Sequence, residues 1–150
     1  MEYSFEIKRI RLTEAHFSIV PQFKNPKEKP IEIISNVNVK YDKVENGIHV
    51  VISISSDSDK QPFRFSVSWE GLFAFAKMPA EKEIDRIAQI NCAAIIFPYA
   101  RESVADLTRR ANMPPLNLSP FNFVAMYDEK KKSVSKTASL KARKRSKTRP

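Results

Sequence analysis

The feature that most constrains this chain is the alternation of apolar and polar residues in three successive runs. Apolar side chains fall on alternate positions through most of residues 31–41 and throughout residues 50–54 and 63–69. A period of two is typical of a β-strand with one buried face. Asn46-Gly47 separates the first two runs and is the best hairpin signal in the chain. The pattern predicts an antiparallel meander with one apolar face.

The N-terminal segment adds a strand to this meander. Residues 3–8 alternate in the same way. Ile10 and Leu12 fall on the opposite parity, so we expect a bulge or the end of the strand near Arg9. Residues 14–20 predict a second short extended piece, and residues 21–30, with three prolines, predict a loop.

The second half of the chain changes to a helical period. Pro79 opens the pattern, Pro98 should kink or restart it, and residues 121–132 predict a short second helix. Strands followed by helices predict an α+β fold with helices on one face of a four-stranded antiparallel sheet. The helices carry more apolar surface than one sheet can bury, so we expect an oligomer. The predicted oligomer helix face comprises Ile84, Ala88, Ile95, Ala100, Val104 and Leu107.

The basic charge of the chain is concentrated at its C-terminal end. Residues 128–150 contain ten Lys or Arg and two acids, hence +8 of the net charge of +9. The segment lacks the apolar residues that would offset its ordering entropy, so we expect residues 128–150 to form a basic, disordered tail. Residues 130–149 are a candidate phosphate-binding segment, but a solvated tail is the simpler interpretation, since no aromatic residue there offers base stacking.

The sequence carries no recognisable catalytic pattern. His16 and His49 fall in strand patterns, and Cys92 falls in a helical pattern as a small core residue. Two glycines are too few for a Gly-rich phosphate loop, and no Cys/His spacing fits a metal site. We expect no enzyme, no cofactor and no metal ion. The single cysteine, the charged start and the lack of a long apolar run predict a cytoplasmic protein without membrane insertion.

A proline-stiffened segment is unusual because it is apolar. Residues 113–123 contain three prolines, yet their other side chains are largely apolar, whereas loops are normally polar. Such a segment predicts an adaptable apolar groove suited to unfolded chains, to which a strand edge would add main-chain hydrogen bonds. Burial of each residue in the core is the simpler alternative. The predicted groove comprises Phe17, Phe97, Tyr99, Met113, Leu116, Leu118, Phe121, Phe123, Met126 and Tyr127.

Three parts of the chain resemble the SecB family of bacterial protein-export chaperones. FEIKRI at residues 5–10, with Phe17, is similar to the family's first strand, and EGLF at residues 70–73 is similar to the segment after its last strand. The most specific match is IFPYARE at residues 96–102 followed by PPLNLSPFNF at residues 114–123. The resemblance extends over residues 3–127.

The resemblance implies a chaperone domain at residues 1–127, built from a four-stranded antiparallel sheet and two helices. It implies a homotetramer arranged as a dimer of dimers. It also implies an ATP-independent holdase, a chaperone that holds unfolded preproteins in aromatic-lined grooves and hands them to the export motor SecA. The matching groove positions are Phe97, Tyr99, residues 113–123, Met126 and Tyr127.

Several departures from the family pattern bear on partners. The family members that dock on SecA carry acids on the outer face of the sheet, whereas this chain has Arg64, Ser66 and Ser68 there. Val124 also stands where the family's Asn-Phe-Asp pattern has its acid. These departures weaken SecA docking and favour an alternative, a dedicated chaperone that shields one antitoxin of a toxin–antitoxin pair. Nucleic-acid binding through the tail is a third, less favoured hypothesis.

Overall fold

The computed structural model describes the backbone of residues 3–146 and the side chains of residues 3–140. The chain divides into two compact units, Met1–Pro120 and Phe121–Pro150. The first unit contains four strands and a long helical stretch, and the second contains one helix. In chain order the elements are β1 (Phe5–Ile19), β2 (Asn36–Val44), β3 (Gly47–Ser56), β4 (Phe63–Phe75), α1 (Glu81–Arg86), a π-helical segment (Ile87–Cys92), α2 (Ala93–Arg110) and α3 (Phe123–Ser146).

The four strands form one antiparallel sheet in the order β1-β4-β3-β2. The predicted meander is confirmed for β2, β3 and β4, but β1 pairs with β4 instead of with β2. The 16-residue connection between β1 and β2, residues 20–35, therefore joins the two edges of the sheet. This order leaves β1 and β2 each with one unpaired edge within the subunit.

β1 is one strand of 15 residues and not the two extended pieces that the sequence predicts. Its register with β4 shifts between Ile7 and Arg9 and again between Leu12 and Glu14. A bulge adds an unpaired residue and lets a strand continue after its alternation changes parity. The predicted irregularity near Arg9 is therefore confirmed, and the second piece is the continuation of the same strand.

The two faces of the sheet differ because alternate residues of a strand point to opposite sides. One face is apolar and packs under the helical stretch of the first unit, with α2 lying mainly against β3 and β4. The opposite face, here called the outer face, is polar, and the hydroxyls of Ser53 and Ser68 lie 2.8 Å apart on it. This arrangement confirms the predicted α+β fold. The core of the apolar face comprises Ile48, Val50, Ile52, Ile54, Phe63, Phe65, Val67 and Phe73.

The helical stretch on the apolar face continues past the proline. Ala80 is the N-cap of α1, so Pro79 lies just before the helix and not in its first turn. Pro98 lies inside α2, and the departure from α geometry comes earlier, at the π-helical segment. Phe97 and Ala100, on either side of Pro98, are both buried. Packing on the sheet therefore compensates for the hydrogen bond that proline cannot donate.

Most of the predicted oligomer face is buried within the subunit. Ile95 and Leu107 are half-buried. The oligomer face remains a prediction, and within it these two residues keep some exposure to solvent. The other four are at most 3% exposed, namely Ile84, Ala88, Ala100 and Val104.

The C-terminal helix is longer than the sequence predicts. α3 extends to Ser146, where we expected a short helix to about residue 132 and a disordered tail beyond it. Lys, Arg and Ala favour helix, and no Gly or Pro interrupts residues 123–146. Residues 147–150, the last part of the predicted tail, lie outside the described residues.

The β2–β3 hairpin turns one residue earlier than Asn46-Gly47 predicts. Val44 pairs with Gly47, so the turn residues are Glu45 and Asn46, and Asn46 adopts the left-handed φ of 54°. The φ of Gly47 is not positive. Glycine is required at position 47 for steric reasons, because a Cβ there would overlap the carbonyl oxygen of Phe73 on β4.

We expect Gly47→Ala to lower the free energy of unfolding by about 1–3 kcal/mol, because the added carbon must displace backbone. Urea denaturation measures this change. Asn46→Gly is the matched control, since glycine accepts the left-handed φ, and it should change stability by less than about 1 kcal/mol. A Gly47→Ala protein as stable as the control would contradict the steric explanation.

Candidate functional site

The apolar segment that follows α2 has no regular secondary structure. Residues 114–122 lie in neither helix nor strand. Within the first unit, Met113, Leu116 and Leu118 are half-buried, and the residues between them are exposed. The segment therefore presents one row of apolar side chains that is partly accessible to solvent.

Thr108 ties this segment to the end of α2. Its side chain is fully buried, and its hydroxyl donates within α2, with the carbonyl oxygen of Ala105 at 2.9 Å. The same hydroxyl accepts a hydrogen bond of 2.9 Å from the backbone N–H of Leu116. Asn112 reverses the chain with a φ of 56°, and the N–H of Met113 donates to the carbonyl of Thr108 at 3.1 Å. This geometry closes the helix and fixes where the apolar segment begins.

The sequence analysis missed Thr108, although the sequence contains a signal for it. Thr108 follows Ala100 and Val104 at intervals of four and so lies on the same helix face as these core residues. A polar residue at a core position needs a hydrogen-bond partner, and the start of a loop offers unpaired N–H groups.

Of the two predicted aromatic residues on α2, one is available to a ligand. Phe97 is 7% exposed and belongs to the core, whereas Tyr99 is 46% exposed. The Tyr99 ring lies 5.2 Å from the ring of Trp69, whose indole N–H donates to the Ser103 hydroxyl at 2.8 Å. Trp69 thus fills the place between sheet and helix and supports the exposed face of Tyr99.

Phe17 lies near one end of the sheet, on β1. Its ring stacks on that of Phe63 with centroids 5.5 Å apart. It borders a shallow cavity of about 550 Å³ whose wall also includes His16 and Arg64. The remaining lining is formed by Ser18, Ser55, Ser56, Asp57, Phe65 and Ser66, and none of the other predicted groove residues contributes to it.

The second unit carries the remaining predicted residues at the start of α3. The rings of Phe121 and Phe123 lie 5.2 Å apart, and the Asn122 side chain accepts a hydrogen bond of 3.0 Å from the N–H of Ala125. This is an N-cap, which explains why α3 begins here. Met126 and Tyr127 follow in the first turns, with the Lys131 ammonium 5.3 Å from the Tyr127 ring.

A carboxylate on the outer face is surrounded by bases. Glu70 of β4 has a side chain only 8% exposed, in contact with Arg11, and its Oε1 lies 3.3 Å from the Arg9 guanidinium. Its other oxygen lies 2.5 Å from Nε2 of His49. The hydrogen bond with His49, together with Arg11, lowers the pKa of Glu70. Arg9 and Arg11 belong to β1, so the cluster fastens this edge strand to the middle of the sheet.

The described residues offer little for covalent or metal chemistry. Cys92 is buried, and desolvation raises its pKa to about 12, so the thiol stays protonated and unreactive. This confirms Cys92 as a core residue. Within the described part of the chain no three His, Cys, Asp or Glu side chains are grouped as a metal site would need. Among the same residues, no helix has the length and apolarity required to cross a membrane.

Thr108→Val should lower the free energy of unfolding by about 1–3 kcal/mol, because the N–H of Leu116 loses its partner while the side-chain volume is kept. Hydrogen exchange at the Leu116 amide should accelerate in parallel. Thr108→Ser, which keeps the hydroxyl, is the control. Unchanged exchange in Thr108→Val would mean that the hydroxyl does not hold the segment.

Glu70→Gln should reduce stability at neutral pH and flatten the loss of stability on acidification. A carboxyl whose pKa is lowered by folding contributes stability above its ordinary titration range, and this is lost as the pH falls through the folded pKa. Urea titrations at several pH values measure both effects. Glu6→Gln removes the same charge at an exposed position of the same sheet and is the control. If both variants behave alike, the cluster is not the cause.

The known proteins that are similar to this chain in sequence carry the same family description. The family model described as preprotein translocase subunit SecB matches residues 2–134. The protein-export protein SecB of Methylobacillus flagellatus is 34% identical over 139 residues, covering 89% of this chain and 87% of that protein. The corresponding protein of Neisseria meningitidis serogroup A is 29% identical over 136 residues, covering 86% and 91%.

A solved structure has the same fold. It is a SecB-like chaperone of Mycobacterium tuberculosis in complex with a peptide from the HigA1 antitoxin, with a TM-score of 0.61 and 21% identity. The likeness covers 78% of this chain and 90% of that one. The family match over nearly the whole chain, the identity to protein-export proteins and the shared fold lead to one conclusion. This chain belongs to the SecB family and is a chaperone, not an enzyme.

Proposed function

We propose that the chain is an ATP-independent holdase that binds unfolded polypeptide along apolar surface. The observation that carries this proposal is the apolar segment after α2, which holds Met113, Leu116 and Leu118 half-exposed on a backbone without regular structure. Folding normally removes such side chains from water. These side chains stay at the surface although the Thr108 hydroxyl fixes the backbone of the segment at Leu116. This combination supports a role in binding apolar clients.

The proposed client-binding surface contains fewer residues than the set predicted from sequence. Within the first unit, Tyr99, Leu116 and Leu118 are accessible enough to contact a client, whereas Phe97 is a core residue that holds α2 on the sheet. Phe121 is 38% exposed in the second unit and is proposed as a separate client contact. Phe17 flanks the cavity at one end of the sheet and forms a separate part of the proposed surface. Met126 and Tyr127, in the first turns of α3, belong with Phe121 to the part of the proposed surface that the second unit carries.

We propose a homotetramer, a dimer of dimers, as the working form. Two features of the subunit support self-association. β1 has an unpaired edge along its 15 residues, and Ile7 and Leu12 on it are each 46% exposed. Such an edge pairs readily with another strand. Ile95 and Leu107 give the helical layer a second, smaller apolar contact.

A dedicated chaperone for one antitoxin is the second candidate, and the outer side chains of β4 favour it over delivery to SecA. Along β4 that face presents Arg64, Ser66 and Ser68, and the one acid there, Glu70, is already paired with three bases. A basic docking partner would find no free carboxylate on β4. The structural relative from M. tuberculosis was solved with an antitoxin peptide, which is the client class we propose in this case. Both candidates act in the cytoplasm.

Aggregation of chemically denatured proteins, followed by light scattering without nucleotide, tests the proposal. We expect near-stoichiometric amounts of this protein to suppress scattering. Suppression for several unrelated clients would support the general holdase. Suppression for an antitoxin alone would support the dedicated chaperone, and failure with both client classes by the folded protein would contradict the holdase proposal.

Leu118→Asp and Phe121→Asp should each weaken binding of a labelled unfolded client at least about ten-fold, because a charge in an apolar contact must be desolvated. Fluorescence anisotropy measures the affinity, and size-exclusion chromatography with light scattering checks that the oligomer is intact. Asn117→Asp adds the same charge at an exposed position of the same segment and is the matched control. Equal affinities in all three variants would remove the groove assignment.

A further inference from the structure

The helix α3 begins with apolar residues and becomes basic within its first turns. Residues 123–127 are all aromatic or aliphatic, and residues 130–132 are all lysine. Both groups belong to one helix of one compact unit, so helix geometry fixes their spacing. The described part of α3 therefore joins an apolar surface to a basic one.

Two of the lysines lie on the same side of the helix as the exposed apolar residues. At 100° per residue, Lys130 lies about 60° to one side of Tyr127 and Lys131 about 40° to the other. The Lys131 ammonium is 5.3 Å from the centre of the Tyr127 ring, so these two side chains are in contact. Val134, which is 69% exposed, follows seven positions after Tyr127 and continues the same line. We call these four residues the mixed face.

The far side of the helix has a different balance of charge. Lys132 and Lys136 lie about 140° and 180° from Tyr127, and Asp128 and Glu129 lie at least about 100° from it. Two acids and two bases there offset one another, whereas the mixed face has two bases and no acid. The excess positive charge of the described side chains of α3 is therefore placed beside apolar groups.

This combination selects among partners. A helix that lies on a membrane keeps its charges on the side opposite its apolar residues, whereas here both kinds of side chain share one side. A nucleic-acid duplex is bound through its phosphates, which would leave Val134 without an apolar partner. An unfolded polypeptide that carries carboxylates beside apolar side chains matches both properties of the mixed face.

We propose that the mixed face of α3 selects client segments in which Asp or Glu stands close to apolar residues. This inference rests on the proposed function, since it names the class of client for the part of the surface that the second unit carries. Apolar client side chains would pack on Tyr127 and Val134. Client carboxylates would pair with Lys130 and Lys131, which are both exposed.

The helix also sets the spacing of the preferred client pattern. Tyr127 and Val134 are separated by about 10 Å along the helix axis, and the two lysines lie between them. An extended client rises about 3.3 Å per residue, so two of its apolar side chains that span this distance are about three residues apart. The acid should therefore stand between them, one or two residues from each.

The experiment is fluorescence anisotropy of the full chain with three labelled, unfolded peptides that share the same apolar residues. They differ at two positions between those residues, which carry Glu, Gln or Lys. Two exposed ion pairs should make the Glu peptide bind roughly three- to ten-fold more tightly than the Gln peptide, and the Lys peptide should bind most weakly. Added salt should reduce the difference, because it screens exposed charges.

A pair of double variants assigns the preference to one side of the helix. Lys130→Gln combined with Lys131→Gln should abolish the preference for Glu and leave the affinity for the Gln peptide within about two-fold. Lys132→Gln combined with Lys136→Gln removes the same charge from the far side of the same helix and should keep the preference. Equal loss in both double variants would overturn the assignment, because bulk charge would then explain the preference.

Two competitors and the Gln peptide complete the test. Polyglutamate, which has no apolar side chain, and vesicles with anionic lipid should not displace the Glu peptide, and displacement by either would overturn the proposal. A chain that binds the Gln peptide as tightly as the Glu peptide contradicts this inference alone and leaves the holdase. A chain that binds none of the three peptides contradicts the holdase proposal, and with it the client class named here.

Discussion

In the first unit, the helical stretch from α1 to α2 covers one face of a sheet that has two faces, and most other properties of that unit depend on this. The covered face must be apolar, which fixes the alternation along β2, β3 and β4 and places Phe73 and its neighbours in the core. On the outer face, polar groups pair with one another, as in the hydroxyl pair of Ser53 and Ser68 and the ion cluster at Glu70. With helices centred on β3 and β4, the long edge strand β1 keeps apolar side chains such as Ile7 accessible. A subunit with this asymmetry is suited to association.

The alternation in the sequence was sufficient to predict the class of the fold, because burial of one face imposes a period of two that no local effect removes. The alternation did not predict the strand order. β1 pairs with β4, the strand farthest from it in sequence, and the residues of β1 carry no feature that identifies β4 as the partner. The hairpin was displaced by one residue because Gly47 meets a steric demand from β4, which a local turn rule does not contain. The helix to Ser146 was missed because a lack of apolar residues was taken to mean disorder, while helix propensity points the other way.

The candidate site was predicted as a set of apolar residues, and the structure separates that set by exposure. Phe97 and Tyr99 are two positions apart on one helix, and one is core while the other is surface. Two positions correspond to a rotation of about 200° around the helix axis, so the sequence spacing already places the two side chains on opposite sides. Thr108 is the opposite case, a polar residue at a core position that holds the segment through a single hydroxyl. The pairing of that hydroxyl with Leu116, eight residues away, depends on how the chain reverses at Asn112, and no periodicity encodes such a reversal.

The buried thiol of Cys92 has a practical consequence. Because it is the only cysteine in the chain and its side chain is buried between the helical layer and the sheet, a thiol reagent in water reaches it only when that layer opens. The rate of its modification is therefore a built-in measure of how often the helices lift from the sheet. A cysteine introduced on the surface would, in the same molecule, react on a far shorter timescale and accept a probe selectively. The modification rate of Cys92 therefore reports how often the helical layer opens, and no substitution is needed to measure it.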